Sequence, residues 1–414
     1  MPGGGGLPAS LKDVPSVRLN FRYEPDVPAP ETGEKTGAEE RNAGVQADFD
    51  QNRPQEMVDR TVTSPDGKRV AVVYHRPGDL PAEFRLDMYS AEGAMLNKVT
   101  SDLMAVHFPD TIRWSPDSKS LAFLAMIRGA SSDPEQAAPG NVELVPLQTP
   151  APDLNANGNV EPAETDATSN ANVDANAAPP VAPTPEAPTG ILTFRTEQLY
   201  LCDSDGAGTK PITQNEGFIY FYYVWAPDSS MLVALAAHVR EWRELERRAE
   251  ASGAVFIPLG RPRVIEKNGR ERRLDDALTA VQPVWSPDAA KVAVAFEHQV
   301  RIYDSLGTNP TQAAIPLRNQ LLISSQAYDQ AQAGQLNAEG NPSDDNSNTA
   351  APSTLPDPST LVSFNPIVQL SWTSPDILYF QTAYLRRMRN EADSATSFVR
   401  WHRLILTPQS SETN

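Results

Sequence analysis

Trp114-Ser115-Pro116-Asp117-Ser118 precedes an apolar run at 121–125, and the pairing recurs along the chain. It returns as Trp225-Ala226-Pro227-Asp228-Ser229 before 232–236, and as Trp285-Ser286-Pro287-Asp288-Ala289 before 292–296. An earlier copy, Thr63-Ser64-Pro65-Asp66-Gly67 before 70–74, lacks the tryptophan. A last copy, Trp372-Thr373-Ser374-Pro375-Asp376 before 377–380, carries it one residue early. The apolar runs are too short for helices and rich in β-branched and aromatic residues, which predicts buried strands. The punctuation has a mechanism. Proline presets φ at the second turn position, the aspartate side chain accepts backbone N–H groups ahead of it, and glycine takes the positive φ. Each copy therefore predicts a hairpin.

A second hairpin follows in most copies. Outer strands are predicted at 84–89, 198–203 and 300–304, and fourth strands at 96–100, 210–213 and 313–317. One unit is then a four-stranded antiparallel meander, which cannot bury both faces alone. Radial packing of several units solves that problem, so the predicted fold class is all-β, a β-propeller with five recognisable repeats.

These residues resemble the TolB-type propeller repeat, whose consensus is close to Trp-Ser-Pro-Asp-Gly-Lys followed by a short apolar strand. Similar blades occur in the N-terminal domains of prolyl-oligopeptidase-like proteases. The resemblance spans 59–317 and 367–407, with interruptions. TolB has six blades, so the count stands at five, or six with a further blade within 318–366. By resemblance the role is a protein-binding or scaffold propeller, an accessory subunit of a cell-envelope or membrane-associated complex, in a periplasmic or other extracytoplasmic compartment. The N-terminus has no basic stretch followed by an apolar core, so no signal peptide is read there and a cytoplasmic location stays open.

The chain has 414 residues, 38 of them proline, and a formal net charge of −18. The acidity is local. Residues 25–59 hold nine acidic and three basic residues, 129–190 nine acidic and no Lys or Arg, and 319–366 five acidic and none basic. These segments account for more than the whole net charge, so the remaining body is nearly neutral, which argues against nucleic acid. No run reaches the roughly 18 apolar residues of a membrane span. The single cysteine, Cys202, excludes an internal disulfide framework and a thiolate metal cluster.

The predicted organisation is one propeller over 1–407, closed by pairing an N-terminal strand at 15–24 with 398–406. Val17, Leu19, Phe21 and Tyr23 alternate there with polar residues. Residues 25–58 read as an acidic linker, 129–190 and 318–366 as disordered insertions, 238–252 as a helical insertion and 408–414 as a tail. By this assignment every long segment lies on one face, which is the predicted protein-binding face. In the helix, Val239, Trp242, Leu245 and Ala249 form one stripe, while arginines stand among glutamates opposite. Trp242, Arg243 and Arg247, with Arg386 and Arg387, are the candidate partner-binding residues.

No Gly-x-Ser-x-Gly, Walker loop or His-Glu-x-x-His occurs. The repeated Asp66, Asp117, Asp228, Asp288 and Asp376 read as turn residues, and His75, His238 and His298 fall in separate repeats. The expectation is therefore a non-enzyme with no catalytic residues. The alternative is a glycan- or small-molecule-acting enzyme with convergent acidic or histidine side chains at the tunnel mouth. Calcium is the one cofactor candidate: Asp153, Asn155, Asn157, Asn159 and Glu164 follow the calcium-loop spacing, with Gly158 at the sharp turn. Flanking helices are missing and Pro162 interrupts that loop.

Overall fold

The computed structural model describes residues 11–31, 42–128, 196–307, 312–325, 327, 362–364, 366–387 and 395–409. Most of them are strand, in five antiparallel sheets. The first sheet runs Met57–Thr63, Arg69–His75, Arg85–Ser90 and Met95–Lys98 in spatial order. The third, Phe218–Trp225, Met231–His238, Arg261–Glu266 and Glu271–Arg273, and the fourth, Val284–Trp285, Lys291–Phe296, Gln299–Asp304 and Gln312–Pro316, repeat that meander. In the second sheet the first strand is split into Met104–His107 and Arg113–Trp114, both on Ser120–Ile127, followed by Gln198–Asp203 and Lys210–Pro211. The second hairpin of the third sheet had no counterpart in the sequence reading, because a helix separates it from its repeat.

The Pro-Asp turns are built alike. The Ser64 hydroxyl donates to Asp66 Oδ1 at 2.6 Å, and Lys68 N–H donates to the same oxygen at 3.1 Å. Ser115 with Asp117 and Ser286 with Asp288 repeat the hydroxyl bond at 2.6 Å. The next position needs positive φ, which Gly67 takes at 71°, Ser118 at 59°, Ser229 at 62° and Ala289 at 59°. The aspartates are thus occupied in shaping turns.

What joins one sheet to the next is the motif tryptophan. Trp114 Nε1 donates to the Val62 carbonyl of the first sheet at 2.9 Å. Trp225 donates to Arg113 of the second, and Trp285 to Val224 of the third, both at 3.2 Å. All three indoles are buried in the apolar clusters between successive sheets. A second link runs through the turns: Asp66 N–H donates to Ser118 Oγ and Asp117 N–H to Ser229 Oγ, each at 3.0 Å. The fourth copy has Ala289 at that place and no hydroxyl to offer.

The fifth sheet combines the two ends of the chain. Ile377–Arg387 pairs with Ile367–Ser374 and Val362–Phe364 on one side and with Ala395–Pro408 on the other. Leu19–Glu24 pairs with that last strand, Leu19 opposite Pro408 and Glu24 opposite Arg403. One face of this sheet packs on the fourth through Leu370, Trp372, Leu378, Phe380, Leu404 and Leu406. Among the described residues no apolar cluster joins the fifth sheet to the first. The free face of the first sheet is covered instead by helix α1, Ala43–Asn52, whose Val45 and Phe49 sit on Val70, Val72, Tyr74 and Tyr89. Arg53 closes α1, its guanidinium 4.2 Å over the Phe49 and Tyr74 rings and bonded to Asp87 and the Tyr89 hydroxyl. The segment read as an acidic linker thus contains a docked helix, because two apolar residues at i and i+4 suffice when a sheet face is open. Likewise 318–325 is helical with Leu321 buried, and Val362–Phe364 is a strand, within the segment read as a disordered insertion. Residues 129–190 lie outside the described residues.

A polar core ties the N-terminal strand down. His402 is fully buried between the Tyr23 hydroxyl and Thr382 Oγ1, each 3.0 Å from a ring nitrogen. Arg400 bonds Asp26 at 2.7 and 2.6 Å and reaches Ser325 Oγ and the Ser324 carbonyl. Burial, with Arg400 nearby, pushes the His402 pKa down to about 4.

Two expectations follow from these contacts. Trp225→Phe keeps most of the ring but strands the Arg113 carbonyl, at a cost of about 1–3 kcal/mol in urea denaturation. Trp372→Phe breaks no such bond and costs less; equal losses would contradict the linking role of Trp225. For His402 the folded state holds the neutral ring, while the unfolded chain takes up the proton near pH 6.5. Stability therefore falls as pH drops from about 6.5 to about 4, by on the order of 3 kcal/mol from this group. His402→Gln flattens that part of the profile, and parallel profiles for the two proteins would refute the assignment.

Candidate functional site

Helix α2, Val239–Ser252, starts at the end of Met231–His238, with His238 as its N-cap and Glu241 completing a capping box. Trp242 is turned inward. It packs against Phe108, Phe221 and Phe256, with ring centroids 6.3, 5.2 and 5.0 Å away, and is 8% exposed. Its expected partner contact is therefore corrected to a core anchor: apolar area on the helix stripe is buried by its own sheet first. Arg243 bonds Glu246 at 2.8 Å, and Arg247 and Arg248 share Glu244 at 3.3 and 2.8 Å. The charged face is thus internally paired, which weakens Arg243 and Arg247 as partner contacts. Arg386 and Arg387 stand opposite Ser363 and Val362 in the fifth sheet, and their side chains lie outside the described residues. So do Asp153, Asn155, Asn157, Asn159 and Glu164. Among the described residues no group of three or more His, Cys, Asp or Glu could hold a metal, and no helix is long and apolar enough to cross a membrane.

The structure brings other residues together. A cavity of about 760 Å³ opens between the first strands of the third, fourth and fifth sheets. Tyr222, Trp225, Trp285 and Trp372 give it aromatic walls, and Gln282, Gln369, Ser371 and Thr373 give it hydrogen-bonding groups. Glu31 is the one acidic residue among its described lining residues, so no carboxylate pair faces it. Trp372 is 8% exposed, and its Nε1 is buried with no hydrogen-bond partner among the described residues. Although Trp372 stands one residue early in sequence, a bulge between Trp372 and Ser374 absorbs the extra residue, and Trp372 faces Leu378 as Trp225 faces Leu232 and Trp285 faces Val292.

The other reactive types are spent on structure. His75 stacks on Phe84 at 4.2 Å, His107 lies 3.2 Å from Glu197, and His238 caps α2. Cys202 is buried, and burial, with Asp203 second, pushes its thiol up to about 12.

No protein-family model matches the chain, and no curated protein sequence matches it. Solved structures similar to it include an oligogalacturonate lyase from Vibrio parahaemolyticus, at 10% identity and TM-score 0.37, covering 92% of this chain and 72% of that one. Prolyl oligopeptidase B from Galerina marginata is similar at 10% identity and TM-score 0.37, with 85% and 36% covered. A structure described as TolB from Agrobacterium tumefaciens is similar at 12% identity and TM-score 0.28, with 62% and 65% covered. The chain thus spans under two thirds of the oligopeptidase and of the TolB structure. The fold rests on the sheets and their links rather than on likenesses of this size. The sequence-based expectation of a non-enzyme is corrected here: these similar structures include a lyase and an oligopeptidase. Missing hydrolase and metal motifs therefore do not mark the chain as a non-enzyme.

The thiol gives a simple check of the packing. At pH 8 a reagent that attacks thiolates should leave native Cys202 unmodified and label it on unfolding. Rapid labelling of the native protein would contradict its burial.

Proposed function

We propose that this chain is a β-propeller whose five sheets are five blades, and that it binds a protein partner by taking a segment of it into the cavity between the third, fourth and fifth sheets. The observation that carries the reading is the make-up of the wall itself: Tyr222, Trp225, Trp285 and Trp372 stand beside Gln282, Gln369, Ser371 and Thr373 around a cavity of about 760 Å³. Aromatic walls with scattered amides and hydroxyls suit a peptide backbone, since they offer apolar area together with directional hydrogen bonds. The cavity has one acidic residue among its described lining, which gives no support to paired-carboxylate chemistry there.

The test is a photo-crosslinking residue placed at Thr373 or Val368 on the cavity wall and, as control, at the outlying, 86% exposed Val255. The reading predicts one protein adduct at both wall positions and not at the control. It also predicts that Gln369→Ala, which removes an exposed amide from the wall, lowers the adduct yield about fivefold, the worth of one hydrogen bond, without lowering the melting temperature. Equal labelling at all three positions, or a yield indifferent to Gln369→Ala, would overturn it.

A further inference from the structure

We infer that the cleft between the start of α2 and the outer strands of the third sheet binds a ligand through a phosphate group. The cleft, about 520 Å³, is lined by four guanidiniums, those of Arg240, Arg261, Arg263 and Arg273, against the carboxylates of Glu241 and Asp276. Arg263 and Arg273 stand directly opposite each other on neighbouring strands. Like charges in that relation repel, and Glu271 on Arg263 and Asp276 on Arg273 offset them with one carboxylate each.

The four arginines are not equally engaged. Arg261 is the most engaged: it holds Glu241 with both terminal nitrogens, at 2.5 and 2.8 Å, and gives Nε to the Asp276 carbonyl at 2.9 Å, which uses three of its five N–H groups. Arg263 is 7% exposed, lies 4.3 Å over the Phe218 ring and bonds Glu271 through Nη1. Its Nε is buried with no acceptor among the described residues. Arg273 pairs with Asp276, whose side chain is 79% exposed. Arg240 is exposed and has no ion pair with a carboxylate among the described residues.

This inventory selects the ligand. A carboxylate is satisfied by one guanidinium fork, as Glu241 is by Arg261. A phosphate offers three oxygens and close to two charges, so it can accept from several guanidiniums together. The first amides of α2 are already used, Val239 N–H by the Gly217 carbonyl and Arg240 N–H by His238 Nδ1. The anion is therefore held by side chains, with the helix field adding to them.

The experiment is calorimetric titration of the full chain at low salt with pyrophosphate and inorganic phosphate, and with succinate as the carboxylate control. Pyrophosphate is expected to bind at one site about tenfold more tightly than succinate. Arg240→Gln and Arg273→Gln, both at exposed positions, should each weaken it about five- to tenfold and leave the melting temperature unchanged. Arg263→Gln leaves Glu271 with Asn215 and Tyr220 but without its charge partner, and can disturb folding, so the decision rests on the exposed pair. No binding of pyrophosphate up to about 10 mM, an affinity indifferent to Arg240→Gln with Arg273→Gln, or succinate binding as tightly would each overturn the assignment. The cavity at Trp372 shares no lining residue with this cleft, so either proposal can fail while the other stands.

Discussion

An indole N–H donating to a carbonyl of the preceding sheet is the constraint on which this structure depends. Each meander closes its own backbone hydrogen bonds, but nothing within a sheet fixes where the next one goes. The tryptophan does both jobs at that junction. Its ring fills the apolar layer between sheets, and its one donor accepts a single position of the neighbour. Where the device is altered, the architecture changes with it. Thr63 stands in the tryptophan place of the first copy and is exposed. That is where no apolar cluster joins the first sheet to the fifth, and where α1 covers the open face instead. Trp372 stands one residue early in sequence, a bulge restores its register, and its buried N–H has no partner among the described residues.

The turn chemistry made most of the strands legible. Proline, aspartate and a following residue able to take positive φ are local requirements, so they can be read without knowing what lies across the sheet. The alternation of Leu19, Phe21 and Tyr23 with polar neighbours was readable for the same reason. What escaped reading depends on partners distant in sequence. Helix α1 offers two apolar residues in an acidic stretch, too little for a periodic signal, and forms because the first sheet has a bare face. The strand Arg261–Glu266 carries three charged residues, and Arg263 is buried only because Phe218 and Glu271 receive it.

The candidate sites show the same division. Val239, Trp242, Leu245 and Ala249 form a stripe with arginines on the opposite face, but a stripe does not say whether the protein's own sheet or a partner covers it. The arginine cleft became visible only through register, which sets Arg263 against Arg273 although they are ten positions apart in sequence. Motif searching had no means of finding either this cleft or the cavity at Trp372. Both sites are made of residues that are ordinary in sequence and conspicuous through an unpaired donor.

Hydrogen exchange of the indole N–H groups, followed residue by residue in NMR spectra, tests the central claim most directly. The account predicts that Trp114, Trp225 and Trp285 exchange together and only as slowly as the core strand amides, because breaking any one link requires two sheets to separate. Exchange of any of these three at the rate of a solvent-exposed indole, with the core amides still protected, would contradict it.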